Sequence, residues 1–110
     1  MSQELETVEL ENIIIFGCKL YNQNEIDKAH DNWELIWKRG SSEQKKVVKG
    51  FIQLSGATIQ FNRNKMDSVK YLLDLSLKNI KKHEILHSII NIKSLIKDLE
   101  MTILKLENNN

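Results

Sequence analysis

His30 and Glu34 stand four residues apart in the run Ala29-His30-Asp31-Asn32-Trp33-Glu34-Leu35-Ile36-Trp37, which also holds both tryptophans of the chain. On a helix this spacing sets an imidazole and a carboxylate side by side, one turn apart. Two chemistries follow. The pair can offer two ligands to a divalent metal, with Asp27 or Asp31 as a further carboxylate, although a hydrolytic centre needs three protein ligands and an open position. Alternatively the pair is a polar corner bordering the tryptophan face. A half-buried imidazole needs a partner, and Glu34, or Gln53 from a later helix, would provide it. The metal reading makes the protein a metal-assisted hydrolase. The polar-corner reading is favoured: a small binding or interaction module in which His30, Glu34, Gln53, Asp31, Trp33 and Trp37 form a specificity pocket or a packing lock. Its ligand or protein partner is not named by the residues.

His83-Glu84-Ile85-Leu86-His87 matches the H-E-x-x-H pattern, in which two histidines on one helical face bind zinc and the glutamate acts as general base. The match falls where a helix should be ending. It lacks the glycine and third histidine of the longer version, and no strand signal provides the sheet against which such clefts are built. His83 and His87 are therefore the less favoured metal pair, in a connector that fits the pattern by composition.

A net charge of +1 with 28% charged residues gives no field that dictates a polyanionic partner. Lysine supplies 14 of the 16 basic residues, leaving Arg39 and Arg63 as the only guanidinium forks. Lys78, Lys81 and Lys82 suit a helix C-terminus. Lys45, Lys46 and Lys49 open a helix without interleaved aromatics or arginines, so nucleic acid is not an expected partner. There is no glycine-rich phosphate loop, and no Ser-His-Asp arrangement can be assembled from the sequence. Cys18 is the single cysteine, shares a helix side with Ile14 and Tyr21, and reads as a buried thiol. Met1–Glu11 is polar and acidic, without the apolar core of a signal peptide, and no apolar run reaches membrane-spanning length. The expectation is a cytoplasmic protein, away from the membrane, with no cofactor unless a divalent metal.

Helical spacing accounts for nearly all of residues 1–110, read as one all-α domain. Leu10, Ile13, Ile14, Gly17, Leu20 and Tyr21 form one stripe; Ile26, Ala29, Trp33 and Trp37 form a second, with Asn24 as its N-cap. Ser41 and Gln44 form a capping box opening a third helix to about Phe61. That helix is apolar on two sides, with Val47, Leu54, Ala57 and Phe61 on one and Val48, Ile52 and Ile59 on the other, which makes it central. Asn64 opens a fourth helix and Asn91 a fifth over about 92–107. The fifth carries apolar residues at seven-residue intervals that either cover the other helices or form a homodimer.

Tyr21-Asn22-Gln23-Asn24-Glu25-Ile26-Asp27 recurs forty positions later as Phe61-Asn62-Arg63-Asn64-Lys65-Met66-Asp67. The chain thus reads as two tandem helical hairpins plus a closing helix, with tetratricopeptide-like packing. The repeat is also an internal control. Leucines at 73 and 77 answer Trp33 and Trp37, marking those positions as core, whereas Lys70 answers His30, so a hairpin can be built without the imidazole.

The Ala29-to-Trp37 helix, followed by Gly50-Phe51-Ile52-Gln53-Leu54, resembles the domain of unknown function family 309, with its "A-H-E-x-W-E-x-x-W" and "G-L-I-Q" helices. The resemblance runs from about residue 16 to 77. His30, Trp33, Glu34, Trp37, Gly50 and Gln53 match the pattern, and Asp31 stands where glutamate is usual. It implies a small all-helical fold and a candidate site, with no established activity. The family commonly has a histidine near the end of the second motif's helix, where this chain has Ile59-Gln60.

Overall fold

The two repeated Asn-x-Asn segments set the path of the chain. Asn24 and Asn64 both adopt left-handed backbone, at φ 64° and 59°, which asparagine tolerates better than other side-chain-bearing residues. Around the first, the N–H of Glu25 donates to Leu20 O at 2.9 Å and that of Asn24 to Tyr21 O at 3.0 Å. Around the second, Lys65 N–H donates to Gln60 O at 2.9 Å and Asn64 N–H to Phe61 O at 3.0 Å. These paired bonds are the Schellman arrangement, which satisfies the last carbonyls of a helix and turns the chain back. The asparagines therefore end one helix and do not cap the next. Glu25 and Lys65 occupy the N-cap positions and make no side-chain cap bond, which corrects the expectation for Asn24 and Asn64.

The computed structural model describes residues 4–83, 86 and 91–108. Among these, the helices are α1 (Thr7–Asn22), α2 (Ile26–Arg39), α3 (Ser42–Asn62), α4 (Met66–Lys82) and α5 (Ile92–Asn108), with no strand. The fold is all-α. Helices adjacent in sequence pack on one another as α1/α2, α2/α3 and α3/α4, so α3 sits between the two flanking second helices as its two apolar sides require. The capping box at the head of α3 is present: Ser41 Oγ accepts from Gln44 N–H at 3.2 Å, and Gln44 Oε1 accepts from Ser41 N–H at 3.1 Å. Gln44 does more than cap. Its Oε1 also accepts from Leu5 N–H at 3.0 Å and its Nε2 donates to Leu5 O at 2.7 Å, strapping the segment before α1 onto α3 with Leu5 in the core.

Trp33 is 1% exposed at the centre of the first hairpin. Its indole lies directly against α1 at Gly17, where a Cβ would overlap the ring, and its Nε1 donates to Ile14 O at 3.3 Å. Gly50 performs the same service between α3 and α4: a Cβ there would stand 2.7 Å from Ile80 Cγ1, and Ser76 Oγ donates to Gly50 O at 2.7 Å. Two expected core aromatics are not interior. Trp37 is 45% and Phe61 52% exposed. Trp37 lies four residues past Trp33 at the far end of α2, where its side chain meets solvent. Phe61 lies at the last turn of α3, beyond the helices that cover Leu54 and Ala57.

α5 buries Ile92, Leu99 and Ile103, and the helix it packs against is α4. Asn91 caps it, with Oδ1 accepting from Ser94 N–H at 3.3 Å. Because α5 leans on α4 and does not seal both hairpins, a groove remains between it, α1 and α3.

Candidate functional site

His30 bridges two helices. Its Nε2 meets Glu34 Oε1 at 2.6 Å within α2, and its Nδ1 meets Ser55 Oγ on α3 at 2.6 Å. Ser55 is fully buried, and its Oγ also lies 2.8 Å from Ile52 O, to which it can donate. A carboxylate, an imidazole and a hydroxyl in line are the parts of an activated serine nucleophile. Here the hydroxyl is sealed between α2 and α3, held by His30 Nδ1 on one side and Ile52 O on the other, so no substrate carbonyl can approach it. The chain of bonds holds α2 against α3.

Gln53 does not belong to this corner. Its Oε1 accepts from Asn79 Nδ2 at 2.7 Å, on the α4 side of α3. Residues two apart on a helix differ in direction by about 200°; with Ser55 facing His30, Gln53 must face away. The signal that identifies Ser55 is its place on a buried stripe with Val48 and Phe51, where a polar residue needs a partner. Asp31 and Asp27 are exposed and take no part, and of the two tryptophans only Trp33 is enclosed.

As metal ligands, His30 Nε2 and Glu34 are two donors already turned on each other. Among the described residues no group of three or more His, Cys, Asp or Glu side chains converges. His83 is the half-buried C-cap of α4, whereas Glu84, Ile85 and His87 lie outside the described residues, so the H-E-x-x-H segment has no geometry to report.

A larger feature was not legible in the sequence. The groove beneath α5 has a volume of about 710 Å³. Its floor is aromatic: Trp33 lies between Tyr21, at a centroid distance of 6.2 Å, and Phe51, at 5.2 Å. Phe61 lines it too, and Leu95, Leu99 and Leu106 form the α5 wall. The Tyr21 hydroxyl bonds Thr58 Oγ1 at 2.8 Å, and Thr58 donates to Leu54 O at 3.1 Å. Cys18 lines the same groove, and burial pushes its thiol up to about 11, so it stays protonated and inert at neutral pH. Residues from all five described helices meet here, so no local pattern could have announced it.

No described helix is long and apolar enough to cross a membrane. Neither the curated proteins nor the solved structures return a match to this chain. A family model does match, over residues 14–72, which takes in the Glu34–His30–Ser55 bridge, Gly17, Gly50 and most of the groove floor, while α5 lies outside the match. With more than half of its length matched, the chain belongs to the family described as Domain of unknown function (DUF309).

Proposed function

We propose that this protein is a non-catalytic binding module that takes a small apolar ligand in the groove between α5 and the two hairpins. What supports the reading is the groove itself: about 710 Å³, within the roughly 300–1,000 Å³ usual for small-ligand sites, apolar and aromatic with a few polar groups at its edge. In this reading the Glu34–His30–Ser55 bridge positions α2 on α3, and so keeps Trp33 in the groove floor, without touching the ligand. The test uses N-phenyl-1-naphthylamine, a neutral probe that fluoresces in apolar surroundings. It should bind near one equivalent, and binding should be lost in Ser94→Trp, which fills the groove from an exposed position on α5. No binding to the native protein, or equal binding to both, overturns the proposal.

The competing reading, a metal-assisted hydrolase, rests on His30 Nε2 and Glu34 Oε1 meeting at 2.6 Å on a flank that is only half buried. Metal analysis of untagged protein separates the two. About one equivalent of zinc, lost in His30→Ala and kept in His83→Ala, would replace the binding-module reading.

A further inference from the structure

We infer that the groove selects an amphiphile with a protonated amine head over one with an alcohol or carboxylate head, and that Asp98 receives the ammonium. This rests on the groove being a ligand site and adds the class of ligand. Two observations carry it. First, Asp98 is the single formally charged side chain among the described residues that line the groove, which has no lysine or arginine in its lining, and it makes no ion pair with any described residue. Second, three of the hydroxyls along the groove, those of Thr58, Tyr21 and Thr102, have their protons already committed. Thr58 donates to Leu54 O at 3.1 Å, which leaves its oxygen to accept from the Tyr21 hydroxyl at 2.8 Å, and Thr102 donates to Asp98 O at 2.8 Å.

A hydroxyl has one proton and two lone pairs, so once that proton is spent it can only accept. Tyr21 and Thr102 thus present lone pairs to a ligand, Thr102 one helical turn from Asp98. An ammonium brings three donors and no acceptor to such a surface. A carboxylate or phosphate head brings only acceptors, and would be repelled by Asp98. The apolar remainder of the ligand lies over Trp33 and Phe61, where the groove has room for a flexible alkyl chain. Asp98 is exposed to solvent, so its attraction is partly screened. A preference of about threefold to fivefold over the neutral head is the scale that an exposed ion pair supports.

The experiment displaces bound N-phenyl-1-naphthylamine with decylamine, decanol and decanoate, each below its micelle concentration, at pH 7.5. The amine should displace at a concentration about threefold to fivefold lower than the alcohol, and decanoate should be weakest. In Asp98→Asn the gap between amine and alcohol should close while decanol is unchanged. Equal displacement by amine and alcohol, or a gap that survives Asp98→Asn, overturns this inference and leaves the groove standing. Failure of the probe to bind the native protein at all removes the groove reading and this inference with it.

Discussion

The first hairpin sets Trp33 against Gly17, while the second, forty residues on, carries Leu73 and Ala57 at the same two positions, all four of them buried. The larger ring needs the missing Cβ; the smaller side chain leaves room for a methyl. The polar flank shows the same conservation of role with a change of material. His30 and Glu34 are answered by Lys70 and Asp74, and both pairs lie across one helical turn, at 2.6 and 3.9 Å. His30 and Lys70 each then reach the next helix in the array. His30 reaches the buried Ser55 of α3, while Lys70 reaches the exposed Glu107 of α5 at 3.2 Å. Both hairpins thus obey one plan, but the first joins its neighbour through an enclosed hydrogen bond and the second through a solvated ion pair. The difference teaches that an imidazole was placed where a rigid joint is required, next to Trp33, and a lysine where an exposed contact suffices.

The volume exchange is the largest effect to test. Gly17→Ala should cost up to about 3 kcal/mol, because the new methyl overlaps the indole. Adding Trp33→Leu should return part of that loss by importing the second hairpin's solution, giving a favourable coupling in urea unfolding. Additive losses would show that the two positions are not exchanging volume. The joints come next. Ser55→Ala leaves His30 Nδ1 without its partner and should cost about 1–3 kcal/mol, whereas Lys70→Ala should cost less than about 1 kcal/mol. Equal costs would erase the contrast between an enclosed and a solvated joint.

The turns should behave alike. Asn24→Ala and Asn64→Ala each force a less tolerant residue into left-handed backbone, for about 1 kcal/mol apiece, and the glycine variants should be neutral or stabilising. A large asymmetry would mean that one asparagine side chain has a further role. The smallest effect separates Cys18 from its counterpart Thr58. The folded thiol's value, raised by burial from 9.0 to about 11, keeps it neutral while the unfolded chain already ionises. Its contribution is therefore full below pH 9 and declines as pH rises from about 9 toward 11. Cys18→Ser should flatten that decline in thermal unfolding, and alkylation of the native protein should stay slow until the same window.

Much of this chain could be read along its length. The helical stripes, the Ser41–Gln44 capping box, the Asn91 cap, the forty-residue repeat and the central position of α3 all follow from spacing and from turn chemistry within a few residues. Those are properties of neighbours in sequence, decided by the 3.6-residue period and by which backbone groups a helix end leaves open. The choice of Ser55 and not Gln53 as the partner of His30 depends on the rotation of α3 about its own axis, which two buried faces leave ambiguous. That Trp37 meets solvent while Trp33 is sealed depends on how far α1 and α3 extend along α2. The groove exists because α5 docks on α4 instead of across both hairpins, and an apolar stripe specifies that something will be buried without specifying against what. Sequence determined the helices, their order and the residues able to do chemistry; tertiary packing alone decided which of those residues meet, because contact between distant segments depends on helix rotation and offset that no local pattern encodes.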